Sequence, residues 1–164
     1  MTDFKQAFIQ GQRAVQQAHE AKSEINAIFD QLSRDVMEIT NGVVLLSLEE
    51  LTKAPYSYAV GSIMAAASKL IGDTERFPTE PWITARNTSV EGGGKRTKLA
   101  IFEEAETGYP LLLRYGKTEE RCHDRVALER ALAAFIAAPS IGERLMEVLD
   151  QNAQQSKQIP NLGP

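Results

Sequence analysis

The sequence predicts an α+β fold: a long amphipathic N-terminal helix, a second helix, a three-stranded antiparallel meander and two C-terminal helices. Three observations predict it. Apolar residues recur by sevens through the first forty positions. Residues 82–115 are rich in strand-forming Ile, Thr, Trp and Val and are broken by glycine turns. After Asp124 the apolar residues return to helical spacing. A chain of 164 residues suits one domain. That domain is placed at 1–150, with the long helix at 1–41, the meander at 82–115 and the helical pair at 124–150. A flexible polar tail is expected over 151–164.

In the first element, Phe4, Gly11, Ala18, Ile25, Leu32 and Ile39 form one line of sevens, and Phe8, Val15, Lys22, Phe29 and Val36 form a second. Seven residues make nearly two turns, so both lines share one stripe of a helix. Ala7, Ala14, Ala21 and Ile28 run beside it, and Gln10, Arg13, Gln17 and Glu24 lie away from it. Asn41 and Gly42 tolerate the left-handed conformation that ends helices. The stripe is bulky at both ends and small in its centre. Small residues admit a close neighbour but bury little area, so the segment needs a partner surface. Such a helix is about 60 Å long, more than a small body covers. Gly11 and Lys22 on the seam count against a long parallel dimer.

Val43 to Leu48 reads as a short buried strand, and Ser47-Leu48-Glu49-Glu50 matches a capping box that would open a helical turn. Beyond Pro55, the spacing of Val60, Ile63, Met64, Ala67, Leu70 and Ile71 predicts the second helix, closed by Gly72. Residues 73–81 read as a connection. The meander strands are expected at 82–90, 97–104 and 109–115, with Pro110 pushing the third to begin later or lie at an edge. Asp124 is a candidate N-cap for a helix carrying Leu128, Leu132, Phe135 and Ile136. Pro139 ends that helix, and Ser140 to Glu143 opens the next.

The apolar and charged fractions, 43% and 24%, are ordinary for a globular domain. A net charge of -4 argues against a dedicated nucleic-acid binder. The single cysteine, Cys122, cannot close an intramolecular disulfide, and the N-terminus lacks a basic-then-apolar secretory layout. No aliphatic run approaches the roughly 20 residues of a membrane span. A cytoplasmic protein with no membrane partner is the expectation.

Three groups of residues could carry function. Glu103, Glu104 and Glu106 cluster near the end of a strand, and with Lys98 and His123 they could serve a small metal-dependent hydrolase or nuclease. Glu104, Glu106 and His123 are the catalytic candidates on that reading. A solvated hairpin end explains the acids more simply. Cys122-His123-Asp124 is read as a loop and helix start, because adjacent residues on one backbone point apart. No spacing indicates a metal or cofactor site. Gly92-Gly93-Gly94 followed by Lys95, Arg96 and Lys98 reads as a basic hairpin tip that could touch a polyanion or acidic protein. It lacks the phosphate-loop pattern, and nucleic acid is not favoured. The third group is the helical stripe, with Phe4, Phe8, Val15, Ile25 and Phe29 as partner-binding residues, self-association as a homodimer being one outcome. The resulting expectation is a non-enzymatic interaction module, of the inhibitor, immunity or regulatory kind, working through the stripe and the basic tip.

Overall fold

The computed structural model describes residue 1, residues 3–53 and residues 78–157. Helix α1 spans Phe4–Ile39, 36 residues. Five strands follow: β1 Val44–Thr52, β2 Thr79–Asn87, β3 Thr97–Ala105, β4 Gly108–Tyr115 and β5 Thr118–Cys122. Helices α2, Arg125–Ala137, and α3, Pro139–Lys157, close the described chain. The strands form one antiparallel sheet in chain order, β1-β2-β3-β4-β5.

Helix α1 begins at Asp3, whose side chain accepts from the backbone amides of Lys5 and Gln6, satisfying donors the first turn leaves unpaired. It ends at Thr40, after which Asn41 and Gly42 turn back with positive φ. The amide of Gly42 donates to the Met37 carbonyl at 2.7 Å. The expected stop is therefore where the chain turns.

The sheet has five strands, where the sequence predicted a three-stranded meander and a separate short strand over 43–48. β1 joins it in full register with β2, from Val44 opposite Asn87 to Thr52 opposite Thr79. The expected capping box at Ser47 to Glu50 is part of this strand. Glu49 lies opposite Trp82 and Glu50 opposite Pro81, so ladder pairing overrides the local capping pattern. β5, Thr-Glu-Glu-Arg-Cys, has almost no apolar content of its own. It is a strand because it pairs with β4, from Leu111 opposite Cys122 to Tyr115 opposite Thr118. Pro81 starts no ladder bond to β3, whose pairing begins at Trp82. Pro110 lies within β4 rather than before it. The register shifts between Glu104 and Ala105, which leaves Tyr109 and Pro110 outside the pairing, so no amide is needed there. The predicted second helix, from Val60 to Ile71, lies outside the described residues.

Strand alternation puts Val44, Leu46, Ile83, Ala85, Phe102, Leu111 and Leu113 on one face. All three helices pack on that face. α1 contributes Ile25, Phe29 and Val36, α2 contributes Leu128, Leu132 and Phe135, and α3 contributes Ile141 and Val148. The Phe29 and Phe102 rings lie 5.8 Å apart, and Phe135 meets Tyr115 edge-on at 5.2 Å. Buried Asn87 ties β2 to α3, its amide donating to the Val148 carbonyl at 2.8 Å while its carbonyl oxygen accepts from the Ser89 amide. Ser33 donates to the Leu46 carbonyl at 2.9 Å, occupying part of the β1 edge. α2 is capped by Asp124, which accepts from the Ala127 amide at 2.8 Å. Pro139 ends one helix and starts the next, which its fixed φ and missing donor allow. α3 runs to Lys157, past the expected end at 150, because Gln, Ala and Lys sustain a helix without apolar content. Residues 158–164 of the predicted tail lie outside the described residues.

Candidate functional site

The packing of α1 changes abruptly along its length. Every residue from 3 to 17 is exposed, and the first buried one is Ile25. The hairpin turn between β3 and β4 crosses the helix at Ala21 and Lys22. There Gly108, at φ +91°, lies so close that a Cβ on it would come within 2.8 Å of the Ala21 Cβ. N-terminal to that crossing, α1 continues for about 27 Å as an arm without cover from the described body.

The arm carries the same seam that packs on the sheet further along. Phe4 is 79% exposed, Phe8 68% and Val15 58%, an apolar row that monomeric surfaces seldom leave in line. Two concavities flank it. One of about 800 Å³ runs along the helix past Phe8, Gly11, Val15 and His19. The other, about 360 Å³, lies where the arm meets the hairpin and is lined by Ala14, Val15, Ala18, Lys22, Glu106 and Thr107. Ile25 and Phe29, the other two stripe residues singled out from the sequence, belong to the buried core.

Lys22 interrupts the seam in the sequence. The structure supplies the reason: it lies beside the acidic end of the hairpin. Glu104 feels its charge, and Glu106 lines the same concavity. Burial still outweighs that attraction and pushes the Glu104 carboxyl above its ordinary value.

The acidic residues do not converge with the other catalytic candidates. Glu104 shares the helix-facing side of the sheet with Phe102, while Glu103 is exposed on the opposite side and Glu106 is in the turn. His123 follows β5, two strands from Glu104, so roughly 10 Å of sheet separates them. Lys98 lies over the Trp82 ring, 4.9 Å from its centroid, on the face away from Glu104. Among the described residues no group of three or more His, Cys, Asp or Glu is placed to hold a metal ion. Cys122 is buried. Desolvation, then Glu120 and Asp124, raises its thiol pKa, the reverse of what a nucleophile needs.

The basic segment is not a simple free tip. Glu91–Gly93 forms a single 3-10 turn. Gly94 then lies against α3, where a Cβ would meet the Gln151 side chain at 2.9 Å. Arg96 pairs with Glu49 at 3.5 Å, and Arg144 donates to the Lys98 carbonyl at 2.6 Å. Lys95 remains exposed.

A concavity of about 1010 Å³ lies between α1 and α2, lined by Ile28 and Leu132 with His19, Glu24 and Glu129 among its polar groups. Sequence spacing alone pointed to no such groove, since its two walls are a hundred residues apart. Its acids are engaged. Tyr109 donates to Glu24 at 2.9 Å, and Glu129 accepts from Arg125 at 2.7 Å. Burial and that Glu24 contact raise the Tyr109 pKa.

No family model matches the chain, and no curated protein or solved structure matches it. Among the described residues no helix is long and apolar enough to cross a membrane.

Proposed function

We propose that this chain is a non-enzymatic protein-interaction module whose working surface is the apolar stripe on the projecting half of α1. The observation that carries the reading is the exposure of Phe4, Phe8 and Val15 on a seam whose continuation, Ile25 and Phe29, is buried. A Phe ring in water forgoes about 2 kcal/mol of burial, so three large apolar side chains in line favour association with another protein surface. The engaged acids of the α1-α2 groove and the separation of Glu104 from His123 and Lys98 support binding over catalysis. An accessory role as inhibitor, immunity or regulatory protein fits such a surface.

Site-specific photo-cross-linking in cells tests this. A photoreactive phenylalanine analogue at position 8 is expected to give covalent protein adducts, whereas the same analogue at Gln17, off the stripe, gives none. Absence of adducts at position 8, or equal yields at both positions, would overturn the reading.

A further inference from the structure

We infer that the occupant of the arm is a second copy of this chain, its arm paired antiparallel so that Gly11 of each copy faces Val15 of the other. The inference rests on the interaction reading above and specifies the partner.

The steric pattern selects the arrangement. In an antiparallel pair, the two lines of a seam alternate across the interface. With Gly11 opposite Val15 of the second copy, Phe8 falls opposite Ala18, and Phe4 opposite Lys22. Each layer then holds one large and one small or flexible side chain. Among the described residues a Cβ on Gly11 would meet nothing within 4 Å, so the space over it is open to receive Val15. The concavity beside Ala14, Ala18 and Thr107 offers about 360 Å³ for the incoming Phe8 ring. Lys22 can lay its aliphatic stem along Phe4 while its ammonium stays near Glu104 and Glu106. Ala7 and Ala14 flank the seam and let the two helix axes approach to about 8 Å.

A parallel pair fits poorly. It stacks Phe on Phe and Val on Val, leaves voids at Gly11 and Ala18, and sets Lys22 against Lys22. Charge points the same way. The ionised side chains of the arm, Asp3, Lys5, Arg13 and Glu20, balance, so the chain's net charge of -4 resides in the body. Antiparallel pairing keeps the two acidic bodies at opposite ends. The paired length, about 27 Å, is short, which puts the contact near the lower limit of about 1,200 Å² for stable interfaces. The dimer is therefore one that dissociates on dilution.

Sedimentation of the full chain over a wide concentration range tests this, with the second copy as its own probe. The wild type is expected to pass from monomer to dimer. Gly11→Val overpacks the layer against Val15 and weakens the dimer about tenfold, while Gly11→Val/Val15→Ala restores it to within about threefold. Ala14→Cys is expected to cross-link to itself on mild oxidation, and Phe4→Cys is not. A chain monomeric at every concentration, a Gly11→Val dimer tighter than the wild type, or self-cross-linking at position 4 would each overturn the antiparallel pair. The photo-adduct at position 8 separates the two readings. An adduct of twice the chain mass supports the pair. One formed only with a different protein overturns it and leaves the interaction surface standing. No adduct removes both.

Discussion

Gly108 and Ala21 meet where the β3-β4 hairpin crosses α1, so closely that a Cβ on Gly108 would have no room beside the Ala21 methyl. This contact divides α1 into a packed half and an exposed half. Gly108→Ala would press a Cβ to 2.8 Å from Ala21 and 3.3 Å from the Lys22 amide, at a φ that side chains resist. The expected cost is about 2–3 kcal/mol in urea unfolding. Adding Ala21→Gly should recover the part due to the clash but not the backbone strain.

Phe8→Ser/Val15→Ser tests the other side of that boundary. Both residues are exposed, so the unfolding free energy of the monomer should change by no more than about 0.5 kcal/mol. A larger loss in dilute solution would mean that the arm packs on the body.

Asn87 holds β2 to α3 through a fully buried amide. Asn87→Ala removes the donor to Val148 and the acceptor for Ser89, and should cost about 1–3 kcal/mol by chemical denaturation. Asn87→Asp should cost more at neutral pH than at pH 4, because an ionised carboxylate would be buried beside carbonyl oxygens.

Glu104 supplies a pH dependence of known sign. Burial raises its folded pKa above the ordinary 4.5, with Lys22 opposing. A raised folded value favours the protonated form in the fold. Its stabilising contribution is complete below about pH 4.5 and is lost as pH rises through the folded pKa. Glu104→Gln removes that loss. The difference in unfolding free energy, variant minus wild type, should be more positive at pH 7 than at pH 4. The opposite sign would mean that the Lys22 attraction dominates.

Much of this architecture is legible in the residues, for reasons that differ by element. α1 could be read because its seam and both its ends are local properties: Asp3 caps it, and Asn41-Gly42 stops it. The three predicted strands carry their own apolar alternation and appear with shifted ends. β5 was illegible because Thr118 to Cys122 becomes a strand only through β4. Ser47 to Glu50 misled because a capping box and a half-buried strand can share four residues, and pairing with β2 decides between them. For the site, the arm's stripe was visible as periodicity. The position at which it leaves the body was not, since the contact of Gly108 with Ala21 joins residues far apart in the chain.

Cys122 gives the molecule an internal clock. The residue is 1% exposed and its ionisation is held back by burial and by neighbouring carboxylates, so a thiol reagent reaches it only when the packing around it opens. The labelling rate of the wild-type chain therefore times that opening event. A cysteine introduced on the exposed arm reacts without waiting for it. The two populations of thiol are kinetically distinct within one polypeptide, which makes the arm chemically addressable while the body's own sulfur stays silent.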